Sequence, residues 1–186
     1  MKFVIASDIH GSEKYCKMLV DRFFAEKADN LVLLGDVLYH GPRNPLPDEY
    51  SPKGVCALLN PLKESIICVK GNCDSEVDQM VLEFPLIPMY SAIFADGYEL
   101  YLTHGHVFGK ENPLPLKHGA TVCYGHTHVP DFSFENGVFY VNPGSVSLPK
   151  NDSERGYIVF ENGTFTRKTL DGEILEMHKF SSHKLG

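Results

Sequence analysis

The sequence predicts an α/β fold in which two packed sheets carry helices on the outside. Three observations lead there. Strand-like and helix-like segments alternate over the first 70 residues. From about residue 86 onward, short β-rich runs follow one another on Gly, Asn and Pro turns. Several apolar runs are nearly continuous, as strands buried on both faces require.

Taken in order, "FVIAS" (3–7) reads as a strand and "SEKYCKMLVDRFFAEKA" (12–28) as a helix. Ser12 suits its N-cap, and Tyr15, Leu19 and Phe23 recur every fourth residue to give it an apolar stripe. "NLVLLG" (30–35) is a second strand. "SPKGVCALLNPLK" (51–63) is a second helix, with Pro52 in its first turn and Val55, Leu58, Leu59 and Leu62 on one side. "SIICVKG" (65–71) is a third strand. This alternation implies parallel pairing through right-handed crossovers. The later runs "YELYLTHG" (98–105), "TVCYG" (121–125), "VFYVN" (138–142), "GYIVF" (156–160) and "TFTRKTL" (164–170) are expected to build a second, more antiparallel sheet. Residues 40–52 form one long Pro-rich loop, a feature that is often functional. "FPLIPMY" (84–90) is expected in the core, and 173–186 as a loosely ordered tail. One domain over 1–186 accommodates all of this without a linker.

Composition narrows the function. With 43% hydrophobic and 22% charged residues the chain is an ordinary globular one, and no apolar run approaches the ~20 residues of a bilayer span. The opening "MKFVIASDIHG" does not read as a secretory signal, so a cytoplasmic location is expected. Five cysteines without CxxC spacing argue against a disulfide framework. A net charge of −7 with no basic block argues against nucleic acid as a partner. An acidic protein that handles phosphate must draw positive charge from elsewhere, and a metal ion is the direct source.

The strand ends supply the ligands for one. Asp8 and His10 follow the first strand in "SDIHG", Asp36 the second in "GDV", and Asn72 the third in "GNCD". His104 and His106 follow the next in "THGH", and His126 and His128 the one after in "GHTH". The C-terminal ends of parallel strands converge on one crevice, and neighbouring glycines allow close approach. A lone Asp after Gly is usually a turn, and a lone His at a strand end is usually satisfied by a hydrogen bond. Seven residues of ligand type after five apolar runs, with His106 set apart from them, make a different case. Imidazole and carboxylate donors without thiolate suit Mn, Fe or Zn, of which Mn is expected first. Seven ligands exceed one catalytic ion and fit two sharing a bridging carboxylate.

With "DxH", "GD", "GN", "GH" and "GHxH" in this order, the chain resembles the calcineurin-like metallophosphoesterase family. "GDVLYHGPRNPLP" and "GNCDSEVDQM" are similar to its small bacterial YfcE-type phosphodiesterases in particular. The resemblance implies a four-layer αββα sandwich. It implies Asp8, His10 and His128 on a first metal, Asn72, His104 and His126 on a second, and Asp36 bridging them. It also implies a phosphodiesterase acting on a small phosphodiester. Two such cations bring a bridging water to hydroxide near neutral pH, for in-line attack on a docked phosphoryl group.

One position departs from the family pattern. Much of the family has a His after the metal-binding Asn, and here it is Cys73. A thiol is a poor substitute for imidazolium, so leaving-group protonation is either dispensed with or comes from elsewhere. His106 is the first candidate, with His40 and Arg43 on the Pro-rich loop next; Arg43 would also grip a phosphate oxygen. Asp74 is expected to hold a neighbour by hydrogen bonds. The "NPGS" at 142–145 suits a type II turn and reads as wall rather than chemistry. The alternatives are a phosphomonoesterase or nucleotide hydrolase, and a non-catalytic scaffold like the retromer small subunit. Scaffold relatives tend to lose histidines, whereas all seven ligand positions are filled here. Oligomeric state, a homo-oligomer included, stays open.

Overall fold

The computed structural model describes residues 1–180. Strand β1 (Lys2–Ala6) leads into helix α1 (Glu13–Ala25), strand β2 (Asn30–Leu33), helix α2 (Pro52–Leu59) and strand β3 (Ile66–Cys68). Ser12 caps α1 by accepting from the Tyr15 N–H, and Ser51 caps α2 by accepting from the Gly54 N–H. After Asn60 the second helix tightens into a 3-10 segment over Asn60–Ser65, because Pro61 has no N–H to continue the α-helical ladder. The short helix α3 (Glu76–Gln79) opens with a capping box between Ser75 and Asp78. Then come β4 (Tyr90–Ala95), β5 (Tyr98–Thr103), β6 (Thr121–Cys123), β7 (Asp131–Glu135), β8 (Val138–Asn142), β9 (Gly156–Glu161), β10 (Thr164–Thr169) and β11 (Ile174–Lys179).

Two mixed sheets result. The first has the order β11-β10-β9-β1-β2-β3 and the second β4-β5-β6-β8-β7. β1, β2 and β3 are parallel, as are β5, β6 and β8, while β4 and β7 flank the second sheet antiparallel. Alternation along β1 shows how the layers form. Phe3 and Ile5 point between the sheets to meet Leu100, Leu102, Cys123 and Val141. Val4 and Ala6 point the other way, to Leu19 and Phe23 of α1 and Val55 and Leu59 of α2.

Four expectations need correction. The last strands do not join the second sheet: β9 pairs antiparallel with β1 and carries β10 and β11 onto the first. The second sheet is mixed, as two mixed sheets in an αββα sandwich imply. Its outer layer contains a loop in place of a long helix, with Leu116 packed on Val122, Tyr124, Val138 and Tyr140. The expected loose tail includes β11, ordered by pairing with β10; residues 181–186 lie outside the described ones. "FPLIPMY" divides, with Phe84 and Leu86 in the core and Ile87 and Tyr90 exposed.

Candidate metal centre

Each loop that leaves β1, β2, β3, β5 or β6 delivers its polar residues to one place, and backbone hydrogen bonds tie those loops together. The Asp8 N–H donates to the Gly35 carbonyl (3.1 Å), His10 N–H to Asp36 (2.9 Å), and Gly125 N–H to His104 (2.9 Å). Glycine is required where the loops touch. A Cβ on Gly35 would stand 2.6 Å from the Gly71 nitrogen, and one on Gly71 would fall on the Asp36 carboxylate. The "NPGS" turn has Gly144 at φ 81°, as position three of a type II turn demands. It braces the site: the Ser145 and Ser147 hydroxyls donate to the Asp8 carbonyl, and the Asn142 amide donates to that of Gly125.

At the centre, ligand atoms of Asp8, His10 and His128 lie within 4.8 Å of one another, as do those of Asp8, Asp36 and His104. Asp36 sits between the two groups, its Oδ2 3.7 Å from His10 Nε2 and 3.3 Å from His104 Nε2. Asn72 Oδ1 is 3.0 Å from His104 Nε2. The His126 ring stands beside His104, centroids 5.2 Å apart, and its backbone N–H donates to Asp8 Oδ2.

The hydrogen bonds behind the rings set their chemistry. Nδ1 of His10, His104 and His128 lies 2.8, 2.7 and 2.6 Å from the carbonyl oxygens of Tyr39, Leu34 and Leu148. A carbonyl only accepts, so each Nδ1 carries the proton and each neutral ring turns an Nε2 lone pair inward. His10 Nε2 and His128 Nε2 then face each other at 3.1 Å, both within 3.5 Å of Asp8 Oδ1, a buried oxygen with no donor of its own. Lone pairs packed this way repel unless a cation lies among them, and the donor set fits a divalent metal.

In the absence of a metal, protons answer the same field. Burial pulls the His104 imidazole down, but Asp36 and Asp8 overcome it and raise it to about 9. Burial likewise opposes ionisation of His10, and Asp8 reverses it, so its pKa is raised. Burial would lift the Asp8 carboxyl, yet His10 and His128 hold it well below the usual carboxylate range.

Comparison with known proteins agrees with this geometry. Residues 1–164 match the calcineurin-like phosphoesterase superfamily domain. The chain is 45% identical to phosphodiesterase YfcE of Escherichia coli over 175 residues, covering 94% of this chain and 95% of that one. The chain belongs to the calcineurin-like phosphoesterase superfamily. The solved structure of YfcE superimposes with a TM-score of 0.94 at 42% identity, over 97% of this chain and all 100% of that one. Vps29 of Entamoeba histolytica, solved in complex with Zn²⁺, shares the fold with a TM-score of 0.61 at 18% identity, over 97% and 100% of the two chains.

In this phosphoesterase the cluster opens onto a cavity of about 480 Å³ whose lining includes Asp36, Asn72, His126 and His128 together with Arg43 and Lys150. Arg43 is therefore at the site. Lys150 is also there, and the sequence reading missed it because a lone Lys after a Pro carries no motif; its backbone N–H donates to the His128 carbonyl. His40 instead packs its ring between Tyr39 and Tyr50, centroids 4.8 and 5.3 Å away, and does not line the cavity. His106 does not line the cavity; its ring stands beside those of His104 and His126, centroids 5.3 and 6.1 Å away. Burial lowers its pKa, and His104 and His126 lower it further, so its ring is neutral at pH 7. Burial, with Asp36 adding to it, pushes the Cys73 thiol up to about 12, so it is neutral too. Asp74 is buried and accepts N–H groups from Asp36 (2.8 Å), Val37 (2.8 Å) and Gly71 (2.7 Å), which clamps the loops after β2 and β3 together. Burial raises its pKa against the pull of those N–H groups.

Proposed function

We propose that this superfamily member is a metal-dependent phosphodiesterase that hydrolyses a small phosphodiester by in-line attack at a dinuclear centre. One observation carries the reading: three imidazole Nε2 lone pairs and two carboxylates converge with their outer nitrogens already committed to carbonyls. Asp8, His10 and His128 would hold one cation and Asn72, His104 and His126 the other, with Asp36 shared. When bound, such cations neutralise phosphoryl oxygens and acidify water toward neutral pH. Mn is the first expectation, because the donors are nitrogen and oxygen without thiolate.

The chain's own residues do the rest. Arg43 and Lys150 line the same cavity as the cluster and orient the phosphate anion, Arg43 through its guanidinium fork. Asp74 fixes the aim of Asp36. The Cys73 thiol, pushed up to about 12, and the His106 imidazole, whose protonated form is disfavoured, are both poor acids here. No side chain is therefore assigned to protonate the departing oxygen, which favours alcohols that leave readily as anions. The named activity of YfcE supports the diester preference. The five cysteines are free, which suits a reducing cytoplasm, and no helix among the described residues is long and apolar enough to cross a membrane. We read the chain as one domain.

The test compares a simple aryl phosphodiester with the matching monoester, with Mn²⁺ supplied, and assays bound metal by elemental analysis. The diester is expected to turn over faster, with about two metal equivalents per chain. A faster monoester overturns the diester preference. A purified protein that takes up no Mn, Fe or Zn overturns the hydrolytic reading.

A further inference from the structure

A second cavity, of about 500 Å³, adjoins the first, and Cys73 lies in the wall of both. Its character is different. Leu38, Tyr39, Tyr50, Pro52, Val77 and Val81 make its surface apolar, with charge contributed by Lys53 and Asp78. Val77 is 65% and Val81 49% exposed, so apolar side chains face water here without cover from the described residues. The size is that of a small-molecule site, and apolar walls with a few polar groups are what such sites present.

Part of the wall, with Leu38, Tyr39 and Cys73, belongs to the loops that carry the candidate ligands. Tyr39 gives its carbonyl to His10 Nδ1, and Cys73 follows Asn72 and donates its N–H to Asp36 Oδ1 at 2.8 Å. Cys73 is a small, apolar partition, so a group attached to a phosphate at the cluster meets the second cavity across a single thiol. Tyr39 and Tyr50 offer ring faces and edges to an aromatic occupant.

We propose that this cavity is the subsite for an uncharged aryl ester group of the substrate, so that the preferred phosphodiesters carry at least one aromatic alcohol. The inference rests on the phosphodiesterase reading and deepens it. It competes with one other occupant, a second copy of the chain, and continuity with the phosphate-facing cavity favours the ester group.

The experiment titrates Mn²⁺-loaded protein with diphenyl phosphate and with dimethyl phosphate by calorimetry, for wild type, Val77→Asp and Val77→Leu. Release of nitrophenolate from bis(4-nitrophenyl) phosphate is followed separately. Diphenyl phosphate is expected to bind at least about tenfold more tightly to wild type and to Val77→Leu, and the ratio to collapse toward one in Val77→Asp. Equal binding of the two esters to wild type overturns the subsite while turnover of the nitrophenyl diester leaves the phosphodiesterase reading standing. If no nitrophenolate is released, that reading falls and the subsite falls with it. If Val77→Asp dissociates an oligomer and keeps the tenfold ratio, the apolar patch is a contact between copies and the inference is overturned.

Discussion

Asp74→Asn separates the side chains that would touch a metal from the one that aims them. The carboxylate accepts three backbone N–H groups at 2.7–2.8 Å, two on Oδ2 and one on Oδ1. An amide oxygen can keep the two that share an atom, from Asp36 and Gly71. The Val37 N–H then faces an NH₂ group and is left buried without a partner. A lost hydrogen bond to a charged group and an unsatisfied buried donor together cost about 3 kcal/mol. With a urea m-value of ~2 kcal/mol/M, the unfolding midpoint of metal-free protein should fall by about 1.5 M. The loop after β2 keeps its Asp36 bond but loses the Val37 anchor beside it, so Mn²⁺ affinity should drop about 10–100-fold, as is usual when the support of a ligand is removed. Circular dichroism in urea gives the first number and calorimetric Mn²⁺ titration the second. An Asp74→Asn protein that unfolds at the wild-type midpoint and binds Mn²⁺ within about twofold would refute the clamp.

Other perturbations test neighbouring parts of the account. Gly71→Ala drives a methyl group onto the Asp36 carboxylate and should abolish tight Mn²⁺ binding, as equilibrium dialysis would show. Arg43→Ala should lower kcat/KM for a phosphodiester about 10–100-fold with metal content unchanged, since it removes a charge-assisted anion contact; an unchanged kcat/KM would place Arg43 outside the reaction. His104 has its metal-free pKa raised from 6.5 to about 9, so its contribution to stability is full below pH 6.5 and is lost as pH rises through 9. A cation must displace that proton, so Mn²⁺ affinity should climb from pH 7 to pH 9 and level off above, and a flat profile would contradict the placement of His104. His106→Ala should slow diesters with good and poor leaving groups by the same factor; a selective loss on the poor leaving group would restore His106 as the general acid.

The ligand-bearing strand ends were legible because each apolar run stops at a polar residue beside a small one, a local pattern that needs no knowledge of the partner strand. β4 and β11 were not, since both are edge strands that expose apolar residues: Tyr90 and Phe94 on one, Ile174 and Met177 on the other. Nothing within "TFTRKTL" says that it will lie beside β9 in the first sheet, because that choice is made by pairing across the chain. At the site, the side chains that meet were readable and their supports were not. The carbonyls of Tyr39, Leu34 and Leu148 that orient three imidazoles belong to the backbone, which has no sequence signature. His40 shows the opposite failure: a histidine on a functional loop, turned aside by two tyrosines.

Backbone strain shows what the cluster costs the fold. Asp8, His10, Asp36, His126 and His128 all have positive φ, between 50° and 67°. A left-handed residue other than Gly costs about 1 kcal/mol, so these five together approach the low end of a domain's whole stability. The geometry explains why they are tolerated. A strand that continued straight would carry its next side chains away from the crevice, whereas a left-handed step reverses the chain at once and keeps Asp8 and His10 in one pocket. The surrounding structure over-determines each step, through the Gly35 and Asp36 carbonyls beneath residues 8 and 10 and the Ser145 and Ser147 hydroxyls on the Asp8 carbonyl. Strain in the backbone and repulsion among the inward lone pairs thus lie at the same residues. Removing any one ligand would relieve part of the repulsion and leave the strain, which is why a structural role alone gives no reason for this arrangement and cation binding does.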